Sequence, residues 1–172
     1  GLVIELTGPP VSQPYIDLTL DVMDQFNVTA VRVSDTRYEV PGNQVYVPGT
    51  RVVEPDMSNA GYFWAAGAVT GSEIGVDNIQ KNSLQGDLKQ IHILEQMGCS
   101  LNVQPTSVAV KGASLKGIDV DMSDTPDAVP AIAVVAAFAK GTTRISNIGH
   151  LRVKECDRIE AVASQLLKMG IE

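Results

Sequence analysis

The densest group of ionisable side chains lies between positions 152 and 158. Five of the seven residues are charged, in the order Arg152-Val153-Lys154-Glu155-Cys156-Asp157-Arg158. The pattern predicts a helix over 154–169, which would place Lys154 and Arg158 on one helical face. Two cations beside the exposed N–H groups of a helix N-terminus can bind an anion. A solvated helix start with local ion pairs explains the same residues, and both interpretations stay open on residue types alone.

Two further segments combine a helix-capping residue with other polar side chains. Asp124-Thr125-Pro126-Asp127 and Ser12-Gln13-Pro14-Tyr15 each precede a predicted helix. Asp, Thr and Ser cap helices without any chemical role, and capping is the interpretation that residue types alone favour. The same positions can hold a phosphate group on helix N–H groups. The chain has no Walker loop, GxGxxG or GxSxG motif, so Lys, Arg, Ser and carboxylates remain, a set that suits acid–base chemistry on small anions.

Bulk properties disfavour several classes of function. The 172 residues carry a formal net charge of −7 and are 44% hydrophobic, which predicts an ordered globular chain and no nucleic-acid partner. Two histidines (His92 and His150) and two cysteines (Cys99 and Cys156) are too few to favour a zinc site. Separated cysteines are typical of reduced thiols in a cytoplasmic protein. No apolar run is long enough to cross a bilayer, so we expect no membrane partner.

A sequence repeat organises the chain. Three short motifs recur in the same order with similar spacing, which indicates one supersecondary unit used twice. The motifs are Asp56-Met57-Ser58, Asp77-Asn78-Ile79 and Gln96-Met97-Gly98, and their counterparts are Asp121-Met122-Ser123, Ser146-Asn147-Ile148 and Lys168-Met169-Gly170. Capping residues, apolar periodicity and turn residues predict the unit β-α-β-α-β-β.

The predicted elements of the two copies follow these signals. The first copy has predicted helices over 60–69 and 87–97 and predicted strands over 73–76, 100–104 and 107–111. The second copy, from Gly117, has predicted helices over 127–139 and 154–169 and a strand over 142–146. The helix over 127–139 is apolar on almost every side, which predicts burial all round.

A partial copy comes first in the chain. It has predicted strands over 2–6, 30–33 and 39–45 and a helix over 14–26. Both chain ends interrupt predicted elements, so we expect the chain to be a fragment.

Four segments, in order along almost the whole chain, resemble the EPSP synthase family. They are Ser12-Gln13-Pro14-Tyr15-Ile16-Asp17, Asn82-Ser83-Leu84-Gln85-Gly86-Asp87, Asp121-Met122 with Pro126-Asp127-Ala128, and Arg152 to Ile159 continuing through Ala161-Val162 to Leu166-Leu167-Lys168-Met169-Gly170. Two positions depart from the family pattern: Gln165 replaces a usually acidic residue, and His150 replaces a frequent Asn.

The resemblance implies an α/β (α+β) architecture, the two-lobed enolpyruvyl transferase fold or inside-out α/β barrel, incomplete in this chain. Residues 1–46 would end one lobe as a partial β-α-β-β unit. Residues 47–172 would form most of two β-α-β-α-β-β units of the other lobe, truncated at the C-terminus. A parent enzyme that is monomeric is also implied, while cut lobes would expose apolar surface that favours self-association of the fragment.

The implied reaction transfers the enolpyruvyl group of phosphoenolpyruvate to shikimate 3-phosphate and releases phosphate, a step of the shikimate pathway to aromatic amino acids. It needs no metal or organic cofactor in the family. By resemblance, Ser12 is a ligand of the shikimate phosphate, Tyr15 lies near that site, and His150 stands where Asn contacts a substrate hydroxyl. Lys154 resembles a shikimate 3-phosphate ligand, and Arg158 resembles a ligand of phosphoenolpyruvate.

Two carboxylates divide the proton transfers in the same resemblance. Asp127 resembles the base that takes the proton of the attacking hydroxyl, and Lys154 lies near that hydroxyl. Glu155 resembles the residue that protonates and later deprotonates the methylene carbon of phosphoenolpyruvate. Carboxyl groups in different environments can hold different protonation states, and cations can bring two anionic substrates together.

Two alternatives remain beside this interpretation. The enolpyruvyl transferase that acts on UDP-N-acetylglucosamine shares the fold but lacks the Arg-Val-Lys-Glu-Cys-Asp-Arg pattern. A non-catalytic fold fragment or binding module would need no chemistry from these residues.

We expect little or no turnover by this chain alone. The family's N-terminal Lys/Ser/Arg cluster, its Gly-rich loop and its late Arg and Lys are absent from the sequence, so both phosphate groups would lack most of their cations. A phosphate-release assay with both substrates should stay at background, and clear release of phosphate would contradict this prediction.

Overall fold

The computed structural model describes residues 1–80 and 82–171 and divides the chain into two compact units, Gly1–Val53 and Glu54–Glu172. Lys81 and Glu172, the last residue of the predicted 47–172 domain, lie outside the described residues. The boundary between the units follows Val53, whereas the sequence predicted one after Tyr46. The assignment of these parts to two lobes stays a prediction.

The first unit is a small antiparallel sheet with one helix. It contains β1 (Leu2–Glu5), α1 (Gln13–Gln25), β2 (Val31–Ser34) and β3 (Arg37–Val40). The strand order is β1-β3-β2, and both pairings are antiparallel. Val28 and Tyr38 are its buried apolar side chains.

The predicted strand over 39–45 ends at Val40, so its second half was wrong. Pro41 has no N–H to donate to a neighbouring strand, and Asn43 has a positive φ of 58°. The side-chain amide of Gln44 then donates to the carbonyls of Pro41 (2.8 Å) and Thr29 (2.9 Å). These bonds replace the strand ladder with a closed turn.

The second unit holds the two repeat copies. Its helices are α2 (Met57–Thr70), α3 (Gln90–Gln96), α4 (Val129–Ala137) and α5 (Arg158–Lys168). Its strands are β4 (Glu73–Asp77), β5 (Ser100–Val103), β6 (Ser107–Lys111), β7 (Asp119–Asp121) and β8 (Arg144–Ser146). Short 3-10 helices cover Gly86–Lys89, Pro126–Ala128 and Gly149–Val153.

Two sheets arise from this order of elements. Strands β4-β6-β5 form an antiparallel sheet, and β7 pairs with β8 in parallel. Each copy therefore contributes a helix, a strand and a second helix in the same sequence: α2-β4-α3 in the first copy and α4-β8-α5 in the second. The predicted repeat of helix and strand is present in the fold.

The core of the second unit lies between α2, α4 and the β4-β6-β5 sheet. Trp64 is fully buried, and its indole N–H donates to the carbonyl of Val108 at 3.0 Å. Glycines let the backbone of α2 approach the end of β6, because the N–H of Gly112 donates to the carbonyl of Gly67 at 3.2 Å. A Cβ at Gly112 would overlap the carbonyl oxygen of Ala68.

Helix α4 is not buried on every side, which corrects the sequence prediction. Val129, Ala131, Ile132 and Val135 are buried against the core, but Val134 in the same helix is 44% exposed, and Phe138 just after it is 63% exposed. The sequence places apolar side chains on every side of this helix, but the rest of the second unit packs against only one of its faces. Among the described residues, no helix is long and apolar enough to cross a membrane.

We expect Gly112→Ala to lower the free energy of unfolding by about 1–3 kcal/mol, because an added methyl group would push α2 away from β6. Urea denaturation measures this difference.

Gly75→Ala in β4 is the matched control. Its added Cβ would lie 3.5 Å from the Cβ of Ala109, an ordinary contact, and a strand gains by losing a glycine. Equal stability losses in the two variants would contradict the close-approach argument.

Candidate functional site

Helix α5 begins later than the sequence predicted, at Arg158 rather than at position 154. Asp157 has an extended backbone (φ −69°, ψ 92°), and its carboxylate accepts from the backbone N–H of Glu160 at 3.0 Å. An Asp that binds nearby N–H groups favours a cap over a helix interior. Lys154 and Glu155 therefore lie in a non-helical segment, and the prediction that Lys154 shares a helical face with Arg158 was wrong.

Arg158 is the centre of the charged cluster. Its Nη1 donates to Asp127 Oδ1 at 2.5 Å. Its Nε and Nη2 donate to Glu155 Oε2 at 2.9 Å and 2.5 Å. One guanidinium thus links the first residue of α5, the preceding segment and the 3-10 helix Pro126–Ala128, as the forked geometry of Arg permits.

Lys154 also lies near the Asp127 carboxylate. Its Nζ lies 3.6 Å from Asp127 Oδ1. The Lys154, Asp127 and Arg158 side chains are 32%, 25% and 23% exposed, whereas that of Glu155 is 73% exposed. Two cations and one carboxylate are therefore partly shielded from water, and the second carboxylate faces it.

The ionisation of the cluster follows from these contacts. The pKa of Glu155 lies below its ordinary value because its own backbone N–H, and then the Arg158 guanidinium, hydrogen bond to the carboxylate. Burial opposes the charge of Arg158, but its bonds to Asp127 and Glu155 outweigh this effect and raise the pKa of Arg158. Arg158 and Glu155 are both charged at neutral pH.

The N-terminus of α2 completes a cavity of about 430 Å³ next to this cluster. Its lining includes Asp127, Arg158, Asp56, Ser58 and Tyr62. Asp56 caps α2 by accepting from the N–H groups of Ser58 (2.8 Å) and Asn59 (3.2 Å). The cavity is thus bordered by the starts of α2 and α5 and by the residues just before α4.

The turn at positions 82–87 holds the start of α2 in place. The Gln85 side chain accepts from the N–H of Met57 (3.0 Å) and donates to the carbonyl of Pro55 (2.9 Å). The buried carboxylate of Asp87 accepts from the Ser58 hydroxyl at 2.8 Å. This segment therefore positions one wall of the cavity.

His150 lies in the 3-10 helix Gly149–Val153, before the charged segment. Its side chain is partly buried, and its Nε2 is buried with no hydrogen-bond partner in the part of the chain that the structure describes. The imidazole is therefore not held by the fold through that nitrogen.

Ser12 and Tyr15 belong to the first unit. Ser12 precedes α1 with a left-handed backbone (φ 58°, ψ 46°), and its side chain makes no capping hydrogen bond. The predicted capping role was therefore wrong. A left-handed conformation is uncommon for a residue other than Gly, Asn or Asp and such strain is frequent at functional sites. The backbone N–H of Tyr15 donates to the carbonyl of Ser12 at 3.1 Å.

The structure therefore joins four of the predicted site residues, Asp127, Lys154, Glu155 and Arg158, in one network. It places Ser12 and Tyr15 in the other compact unit, which is described by itself. In the sequence, Asp56 and Ser58 were identified only as part of a repeat motif, and their position at the border of the cavity was missed. The repeat carried a signal for this, because Asp56-Met57-Ser58 corresponds to Asp121-Met122-Ser123, which leads into Asp127.

Comparisons with known proteins agree on one family. The family described as EPSP synthase (3-phosphoshikimate 1-carboxyvinyltransferase) matches residues 1–172. Proteins named 3-phosphoshikimate 1-carboxyvinyltransferase are 47% identical in Methanococcus aeolicus, over 97% of this chain and 40% of the relative, and 45% identical in Shewanella loihica, over 98% and 40%. The chain thus spans about 40% of the length of these relatives.

Solved structures show a similar fold. The EPSP synthase of Acinetobacter baumannii superposes with a TM-score of 0.71 at 25% identity, covering 96% of this chain and 38% of that one. The enolpyruvyl transferase NikO of Streptomyces tendae gives a TM-score of 0.66 at 15% identity, over 83% and 34%, a likeness that concerns the fold alone.

We expect the start of α5 to loosen as the pH falls through the titration of Asp157. The N–H of Glu160 lowers the pKa of this carboxyl below its ordinary 3.8, despite some loss of solvation, and the Arg152 guanidinium adds to the effect. Its stabilising contribution is complete above 3.8 and is lost as the pH falls through the lower folded value. The amide shift and hydrogen exchange of Glu160 report the change.

Asp157→Asn serves as the matched variant, because Asn caps helices about as well but does not titrate. The acid-dependent change at Glu160 should disappear in it. A change of the same size in both proteins would contradict the assignment to Asp157.

Proposed function

The chain belongs to the EPSP synthase family, and from that membership we propose that it supplies part of the active site that transfers the enolpyruvyl group of phosphoenolpyruvate to shikimate 3-phosphate with release of phosphate. One observation carries the assignment to residues: Lys154 and Arg158 converge on Asp127 beside a cavity at the starts of two helices. Both substrates are anions, and this is where the second unit concentrates partly shielded cations.

In this proposal, Lys154, Arg158 and Ser12 bind the substrates. Lys154 and Arg158 bind the phosphate or carboxylate groups of the substrates, and helix N-termini add N–H donors to the same region. Ser12 binds the phosphate of shikimate 3-phosphate, a role supported by a hydroxyl that is not used for capping. Tyr15, three residues further on, borders that subsite.

Asp127 takes the proton of the attacking hydroxyl. It is held by Arg158 at 2.5 Å and faces Lys154 at 3.6 Å, which fixes the carboxylate at the edge of the cavity. A base must lie within hydrogen-bond reach of the proton that it removes. His150 contributes a hydrogen bond to a substrate hydroxyl, and its buried Nε2, which has no hydrogen-bond partner among the described residues, supports this role.

Glu155 transfers protons to and from the methylene carbon of phosphoenolpyruvate. It gives a proton to the methylene carbon of phosphoenolpyruvate, which makes the neighbouring carbon electrophilic, and the hydroxyl oxygen of shikimate 3-phosphate bonds to that carbon. Glu155 then removes a proton from the new methyl group as the bond to the phosphate oxygen breaks. The double bond returns, phosphate leaves, and Glu155 ends protonated as it began, while Asp127 has gained the hydroxyl proton, which passes to solvent.

We expect labelled chain to bind shikimate 3-phosphate saturably in an NMR titration, with shifts at Ser12, Asp127 and Lys154. Lys154→Ala should weaken binding about tenfold or more, because a hydrogen bond between charged groups contributes about 1.5–3 kcal/mol.

Lys168→Ala is the control, since Lys168 is an exposed cation near the end of α5. Its affinity should match that of the unchanged chain. Equal losses in the two variants would point to general charge attraction, and a well-dispersed spectrum without shifts at these residues would count against the proposed substrate.

A further inference from the structure

The acid role proposed for Glu155 conflicts with its surroundings in the ligand-free chain. A carboxyl group that protonates carbon must first hold a proton. Glu155 instead accepts two hydrogen bonds from Arg158 and is 73% exposed, so it is ionised. Some change at the site must reverse this preference before the reaction can start.

Arg158 is the cation in the lining of the cavity, so an anion bound there would lie near its guanidinium. It lines the cavity together with Asp127 and Asp56, and its own charge is at present shared between two carboxylates of the protein. The other charged groups near Glu155 are Lys154 in the same segment and the Arg152–Asp157 pair at 2.7 Å on either side of it. Arg158 is the cation whose bonds reach Glu155 directly.

We propose that Arg158 is an exchangeable clamp: it pairs with Glu155 until a phosphate or carboxylate group of the substrate takes its guanidinium, and the released Glu155 then binds a proton more readily. The inference rests on the proposed function and extends it to the order of events, in which anion binding precedes and permits protonation of Glu155. Loss of a cation and arrival of an anion both favour the neutral carboxyl group.

Of the two carboxylates that Arg158 bonds, Glu155 is the one that it can release more easily. The Glu155 side chain is far more exposed than that of Asp127, so water can replace its bonds to Arg158 at little cost, as at other exposed ion pairs. Asp127 keeps Lys154 as a second cation when Arg158 turns to the ligand. The exchange therefore frees the Glu155 carboxylate, while the Asp127 carboxylate keeps Lys154 as a counter-ion.

Titration of the Glu155 side-chain carboxyl carbon by NMR tests the clamp without any ligand. Arg158→Gln should raise its titration midpoint by about half a pH unit, the size expected when an exposed ion pair is lost. Arg152→Gln, which breaks the neighbouring pair with Asp157, should leave the midpoint of Glu155 within error. An unmoved midpoint in Arg158→Gln would overturn the proposal.

The unchanged chain gives the second test and does not depend on the fold of a variant. Sulfate, a phosphate-shaped anion that does not titrate in this range, and pyruvate, a carboxylate, are added in separate titrations at constant ionic strength set with sodium chloride. Either anion should shift the Arg158 side-chain signals and raise the Glu155 midpoint together, and the effective anion identifies the group that displaces Glu155. Shifts at Arg158 with an unmoved Glu155 midpoint, or no response to either anion, would overturn the clamp.

The outcome separates this inference from the proposed function. Exchange by sulfate or pyruvate without binding of shikimate 3-phosphate would support the clamp and count against the proposed substrate. Binding of shikimate 3-phosphate, together with a Glu155 titration midpoint that neither anion moves, would support the proposed substrate and count against the clamp.

Discussion

The ion pair between Arg158 and Asp127 joins two segments that are 31 positions apart in the chain. It holds the first residue of α5 against the 3-10 helix that leads into α4, and Arg158 also bonds Glu155 in the segment just before α5. Both side chains are about three-quarters covered, so their attraction is screened less than that of a surface pair. Lys154, Glu155 and the cavity wall are arranged around this contact.

The repeat explains why the contact is possible. Two copies of one unit place α2 and α4 side by side, so that the starts of both helices come to the same region. The segments before these starts carry Asp56 in one copy and Asp127 in the other, and the two residues border one cavity. The buried core of Trp64, Ile132 and Val135 is thus a support that sets helix starts, and their polar residues, at fixed separations.

Much of this arrangement could be predicted from the sequence. Capping residues and apolar periodicity located the helices, the repeat predicted their order, and the density of charge between 152 and 158 marked the segment that contributes Arg158 to the cavity lining. The start of α5 could not be predicted, because Asp157 competes with helix formation through its own side chain, a local choice that charge pattern does not reveal. The exposed face of α4 was missed because composition records apolarity but not which neighbours are present to cover it.

The family resemblance placed Lys154 and Asp127 near the same hydroxyl, but residue types and spacing alone could not predict their direct contact, since it depends on the backbone of a segment without regular hydrogen bonding.

That segment, Lys154-Glu155-Cys156, has a consequence for how the protein can vary. One residue of chain spans at most about 3.3–3.6 Å, a distance comparable with the 3.6 Å between Lys154 Nζ and Asp127 Oδ1. Loss or gain of a single residue there would move the lysine by up to the length of its ionic contact, whereas a helix could absorb a similar change only by rotating every later side chain. Substitution at Cys156, whose side chain is exposed, alters no such distance. The length of this loop is therefore restricted as strictly as the identity of Lys154 and Glu155, and residue type is restricted least at position 156.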